Sequence, residues 1–191
     1  KMVEAARHKN IQLHTYSEVT GVDGYVGNFE VEIKKKPRSI NEDKCTGCGI
    51  CLEKCPGKAP SEFEEELNER NAIYTPFPQA VPNIPTIDRD NCIKFETDKC
   101  GLCARVCPTD AINFDQKAKT IKEKYGIIIT ATGYQLTDPD QFGEYYYKHP
   151  DVITGMEFER IINAAGPTGG KLQRPSNSEK PDRIVFIQCV G

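Results

Sequence analysis

The 191 residues carry 25 Lys+Arg against 28 Asp+Glu, three His, no Trp and nine Cys. The length suits one domain, or one domain with another inserted in it, and a net charge of −3 leaves no basic footprint for nucleic acid. No apolar run approaches the roughly 18 residues of a membrane span, and the N-terminus Lys1-Met2-Val3-Glu4 lacks an apolar signal-peptide core, so nothing points to secretion. Nine Cys is too many for an ordinary cytosolic enzyme and an odd number for a disulfide scaffold.

The first segment, residues 1–37, reads as the end of a helix from Val3 to Lys9 followed by a small meander. Ile11–His14, Glu18–Val22 and Phe29–Ile33 are predicted strands, with turns at Asp23-Gly24 and Gly27-Asn28. The last strand alternates apolar and polar residues, as a half-buried antiparallel strand does.

Residues 38–116 hold eight of the nine cysteines. Arg38-Ser39-Ile40 is a weak strand. Then comes Cys45-Thr46-Gly47-Cys48-Gly49-Ile50-Cys51-Leu52-Glu53-Lys54-Cys55-Pro56, a C-x2-C-x2-C-x3-C-P run. Downstream, Cys92 is followed after seven residues by Cys100-Gly101-Leu102-Cys103-Ala104-Arg105-Val106-Cys107-Pro108, which repeats the C-x2-C-x3-C-P part. This is the bacterial-ferredoxin pattern for holding [4Fe–4S] clusters. A cubane needs four thiolates at its iron corners, and two intervening residues let a loop place successive sulfurs on neighbouring corners. Glycines between the cysteines let the backbone come close, where N–H groups can aim at sulfur. A helical turn after Cys51 and after Cys103 points the last cysteine of each run away from the cluster that its own run wraps, onto the other one. The quartets are therefore Cys45, Cys48, Cys51 and Cys107 for the first cluster, and Cys92, Cys100, Cys103 and Cys55 for the second. Zinc also uses C-x2-C pairs, but wants two pairs rather than two quartets each ending in C-P. Disulfides need an oxidising compartment for which nothing speaks.

Between the runs, Ser61-Glu62-Phe63-Glu64 reads as a capping box opening a helix to about Arg70, with Phe63 and Leu67 inward and the Glu run solvated. Four prolines from Pro76 to Pro85 leave extended chain there. Ala111–Phe114 is a short strand closing the second half.

Residues 117–191 leave the ferredoxin pattern. Gly126–Tyr134 reads as a buried strand running into a small-residue turn, Gly155–Ile162 as an amphipathic helix, Lys171–Lys180 as loop, and Ile184–Gly191 as a second buried strand. No G-x-G-x-x-G occurs, and Gly21–Gly27 carries its glycines in the wrong order, so the phosphate-binding half of a dinucleotide site is missing. His8, His14 and His149 are scattered surface or packing residues.

A strand ending in Ile129-Thr130-Ala131-Thr132-Gly133 with a two-cluster ferredoxin upstream resembles the A subunit of heterodisulfide reductase. The segments Asn71–Pro82, Glu157–Arg160, Gly166–Gly170 and Phe186–Gly191 carry the same resemblance. It implies an α+β chain in which a two-[4Fe–4S] ferredoxin-like domain is inserted in a partial thioredoxin-reductase-like FAD domain. It further implies cytoplasmic complexes with other iron–sulfur subunits and a hydrogenase or formate dehydrogenase module, where FAD splits electron pairs between ferredoxin and a disulfide. Thr132 and Gly133 would then pass close to FAD, and Cys189 would be the first ligand of a further cluster. In this reading the odd ninth cysteine, two residues from the end, marks a fragment.

Three functions compete. One is an electron-transfer module relaying single electrons through two clusters to or from the flavin and docked partners, part of an oxidoreductase complex but without catalysis of its own. Another is a flavoenzyme with FAD held by the flanks. The third is a docking module merely stapled by clusters.

Overall fold

The computed structural model describes residues 1–188, apart from the side chain of Asp140. In chain order its elements begin with α1 (Met2–Arg7), β1 (Ser17–Tyr25), β2 (Asn28–Lys35), α2 (Ile50–Glu53), β3 (Lys58–Pro60), β4 (Glu69–Asn71), β5 (Ile73–Tyr74) and β6 (Thr86–Ile87). They continue with α3 (Ile93–Thr97), α4 (Leu102–Val106), β7 (Lys119–Tyr125) and α5 (Gly155–Ile162). The chain divides into two compact units, one of residues 1–59 and 70–130, the other of residues 60–69 and 131–191.

In the first unit, the alternation of Phe29, Val31 and Ile33 sets a three-stranded antiparallel sheet of order β1-β2-β7. Val31 and Ile33 are buried. β1 and β2 pair across a two-residue turn at Val26-Gly27, with Tyr25 opposite Asn28 and a register shift between Val19 and Gly21. The turn expected at Asp23-Gly24 does not form. Those residues lie within β1 opposite Glu30 and Phe29, because the apolar face of β2 sets the register from further along. Ile11–His14 forms no strand either. Ile11 and Leu13 are exposed, and His14 turns its Nε2 towards Glu123 of β7 at 3.3 Å. β7 escaped the sequence reading because all of its residues except Ile121 are Lys, Glu, Thr or Tyr, types that also suit loops. Its pairing brings Lys122 opposite Glu32 and Lys124 opposite Glu30, where opposite charges across strands are favourable. β2 and β7 flank the cysteine-rich segment and pair with each other within this unit.

The core of the unit is Ile40, Cys51, Ala72, Ile73, Ile87, Cys92 and Ala111. Arg38–Ile40 and Ala111–Phe114 meet in a single bridge, Ile40 to Ile112, rather than in two strands. The rest of that contact is made by backbone bonds from Asn41 N–H to Ala111 O and from Asn113 N–H to Ser39 O. Buried Arg38 donates to Thr86 Oγ1 at 2.9 Å, Thr15 Oγ1 at 2.8 Å and Glu42 Oε1 at 3.0 Å. Arg89 donates to Ser39 Oγ and to the Gln116 carbonyl.

The second unit overturns the helix expected from Ser61 to Arg70. A single 3-10 turn spans Glu62–Glu64, Ser61 makes no side-chain cap, and Glu65 and Glu66 take positive φ. The reason is long-range. Glu64 is drawn in to receive two bonds from Arg160 of α5, Nε to Oε2 and Nη2 to Oε1, both at 3.0 Å, with Phe63 packed against the guanidinium. The local Glu pattern cannot compete with a bidentate pair whose side chains are 8 % and 11 % exposed. α5 forms where expected, capped reciprocally by Thr154 and Glu157. Gly126–Tyr134 and residues 184–188 are not buried strands. Ile127, Ile129 and Val185 are 73 %, 86 % and 84 % exposed, and among the described residues no neighbouring strand satisfies their backbone. Phe186 packs edge-on against Phe158. Among the described residues no helix is long and apolar enough to cross a membrane.

Glu64→Gln should cost about 3 kcal/mol by removing the buried carboxylate from Arg160 and leaving it the half-exposed Glu159, at 3.4 Å, as counter-charge. The double change Glu64→Leu with Arg160→Met should recover most of it. Denaturant unfolding checks both, and a single variant indistinguishable from the parent would show that the pair does not hold this unit.

Candidate metal centres

Eight sulfurs are distributed over two cavities in the first unit. Cys45, Cys48, Cys51 and Cys107 line one, with Ile40 and Ala111 in its wall. Cys55, Cys92, Cys100 and Cys103 line the other, walled by Ile73 and Ile87. Each cavity thus takes three sulfurs from one run and one from the other, and residues of a single core cluster wall both, Ile40 and Ala111 the first and Ile73 and Ile87 the second. All eight are free thiols.

Short helices aim these groups. α2 starts one residue before Cys51 and α4 one residue before Cys103, and the two helices pack on each other. Each carries its run past one cavity and delivers Cys55 or Cys107 to the other. Gly47 stands at φ +69°, and a Cβ there would lie 2.6 Å from the Asn83 carbonyl oxygen. The tight approach of the first run to the proline-rich segment therefore requires a glycine.

The electrostatics separate the thiols. Burial pushes Cys51 and Cys103 up to about 11, so without a metal they stay protonated at neutral pH. Cys100 is lowered, chiefly by the N–H of Leu102, which burial opposes, and also by the N–H of Gly101. At Cys107 burial works upward but is outweighed by the N–H groups of Ala111, Thr109 and Ile112 and by the Thr109 hydroxyl. Binding a metal must displace the protons of the buried pair, so loading releases protons and is favoured as pH rises.

This donor set suits an iron–sulfur cube. Each cavity offers four soft thiols, apolar walls and backbone N–H groups directed at sulfur, the features that hold and tune such clusters. Among the described residues no three His, Cys, Asp or Glu groups converge tightly enough for one metal ion. A cube spreads its ligands over separate corners, so its four sulfurs need not meet at a point.

The remaining candidates lie elsewhere. Thr132 and Gly133 stand in exposed chain outside any helix or strand, and a Cβ at Gly133 would meet nothing within 4 Å. The described residues there do not build a flavin cradle. Cys189 lies outside the described residues. His8 and His149 each accept a nearby backbone N–H, and His14 faces Glu123, away from both cavities. Sequence reading missed Thr109 and Gly57. Setting Cys55-Pro56-Gly57 beside Cys107-Pro108-Thr109 would have shown that the two runs differ at this place.

Residues 44–111 match the 4Fe-4S dicluster domain family. Along its whole length the chain is 53 % identical to the A subunit of the H(2):CoB-CoM heterodisulfide,ferredoxin reductase of Methanothermobacter thermautotrophicus. It is 56 % identical to the second iron-sulfur A subunit of the CoB--CoM heterodisulfide reductase of Methanopyrus kandleri. The chain is a relative of the heterodisulfide reductase A subunits. It covers 28 % of each of these proteins, so it spans little more than a quarter of the length of the curated relatives it matches. In Methanosarcina acetivorans, the A subunit of a ferredoxin/F(420)H(2)-dependent CoB-CoM heterodisulfide reductase is 47 % identical over 196 residues, 24 % of its length. The relatives are thus components of oxidoreductases, and the dicluster match falls on the segment that lines both cavities.

Gly47→Ala should strain the first run by forcing a side chain into a left-handed backbone against the Asn83 carbonyl. After anaerobic loading with iron and sulfide it should bind about half the iron of the parent. Full iron content in this variant would mean that the first loop is not held as tightly as its contacts imply.

Proposed function

We propose that this chain is an electron-transfer module holding two [4Fe–4S] clusters, one on Cys45, Cys48, Cys51 and Cys107, the other on Cys55, Cys92, Cys100 and Cys103. The observation that carries this reading is the meeting of four thiols, drawn from two distant runs, at each of two cavities. When bound, each cluster supplies one-electron redox chemistry at a potential set by its ligands, hydrogen bonds and burial. The chain's own residues do the rest. Ile40, Ala111, Ile73 and Ile87 keep the walls apolar, while backbone N–H groups at Cys100 and Cys107 stabilise thiolate over thiol.

The crossing also keeps the two sites close, as a relay needs. Cys51 lines the first cavity and Cys55 the second, and the four steps along the chain from one to the other span at most about 14 Å. The step from Cys103 to Cys107 imposes the same limit in the other direction. In a heterodisulfide-reductase-type complex, this relay would pass single electrons between modules that handle the reactants in the relatives' names, ferredoxin, H2 or formate, and the CoB-CoM heterodisulfide. A hydrogenase or formate dehydrogenase module is the partner that such reactants call for. The proposal needs no flavin on this chain.

Anaerobic loading should give about eight iron and eight acid-labile sulfides per chain, with absorbance that dithionite bleaches reversibly. Two zinc and no sulfide would sink the proposal. Paired variants test the quartets. Cys48→Ser with Cys107→Ser removes two ligands of one site and should leave about four iron, whereas Cys100→Ser with Cys107→Ser damages both sites and should leave few. The reverse result would mean that each run holds its own cluster.

A further inference from the structure

The two crossing cysteines are followed by different residues at equivalent places, Gly57 after Cys55-Pro56 and Thr109 after Cys107-Pro108. Around Cys107 the surroundings donate. The Ala111 N–H reaches its sulfur at 3.3 Å, and Thr109 Oγ1 lies 3.7 Å from it. A thiolate has no proton to give, so once Cys107 is a metal ligand the Thr109 hydroxyl must be the donor. Around Cys55 the corresponding neighbour is an acceptor, since its sulfur lies 3.8 Å from the Gly57 carbonyl oxygen. That oxygen offers lone pairs to a thiolate and cannot stabilise it.

Packing keeps this difference in place. A Cβ at Gly57 would lie 2.9 Å from the Ala72 Cβ and 3.0 Å from the Asn91 carbonyl oxygen. Ala72 belongs to the core and is 1 % exposed, so it cannot move aside for a hydroxyl-bearing side chain.

Adding one electron to a thiolate-ligated cluster increases the negative charge shared with its sulfurs, and a hydrogen bond to charged sulfur strengthens with that charge. Resting on the electron-transfer reading above, we propose that Thr109 is a positioning residue that acts through Cys107 to raise the reduction potential at the first cavity, a control that Gly57 denies to the second.

The test is a redox titration of the anaerobically loaded protein, with dithionite as the one-electron donor, followed by electron paramagnetic resonance and accompanied by iron and sulfide counts. Thr109→Val keeps the shape and removes the hydroxyl. It should retain the parent's iron and lower one of the two midpoints, shifting that reduction equilibrium about fivefold, or about 40 mV at 59 mV per tenfold, while the other stays in place. Thr109→Ser keeps the hydroxyl and should titrate like the parent. If Thr109→Val sheds iron, Thr109→Ala is titrated in its place with the same expectation. Two unmoved midpoints in a fully loaded variant without the hydroxyl would overturn the proposal, as would a Thr109→Ser shift as large as that of Thr109→Val. A parent that takes up no sulfide would overturn the electron-transfer reading itself, and is recognised before any variant is made.

Discussion

Four sulfurs have to reach one small space, and this chain arranges it twice with the last member of each set exchanged. That exchange constrains everything around it. α2 and α4 must lie against each other, because each leaves one cavity and ends at the other. The core is forced between them, so Ile40 with Ala111 and Ile73 with Ile87 are at once hydrophobic core and cavity wall. A core that doubles as two cavity walls is small, and the strands around it are two or three residues long.

Arginines compensate for the scarcity of regular backbone pairing. Arg38 serves acceptors on three segments, Arg89 ties Ser39 to Gln116, and Arg70 bridges to Asp88 while lying over the Tyr74 ring. A planar guanidinium with five donors can satisfy several loops at once where no ladder exists. Arg160 does the same in the second unit, where its hold on Glu64 shapes the chain from Ser61 to Asn68. These buried or half-buried cations lock irregular backbone into one arrangement, and removing a single partner exposes the full cost of burying charge.

The two halves of the ferredoxin-type segment are alike in motif and unlike in surroundings. The Cys107 sulfur sits among donors and the Cys55 sulfur against a carbonyl. The hydroxyl among those donors comes with the threonine, and in the other half the wall of Ala72 and Asn91 leaves room only for the glycine.

Spacing along the chain pointed to two quartets of cysteines, because loop lengths of two and three residues limit where successive sulfurs can go. The cavities gather the same sets. β2 and α5 were legible for similar reasons, an alternation of period two in one and a capped amphipathic turn in the other. The failures share a cause as well. The Ser61 capping box lost to a partner 96 residues away, β7 was hidden because its charges find their complements only on β2, and the apolar runs at 127–129 and 184–187 lack the neighbours that would make them strands. What the sequence determined by itself was chemistry bound to local spacing, namely thiol ligands, turns and helix caps. Which sulfurs share a wall, which glutamate is buried and which hydroxyl meets a ligand were decided by tertiary structure. Each depends on groups far apart in the chain, whose desolvation and charge are settled only when they pack together.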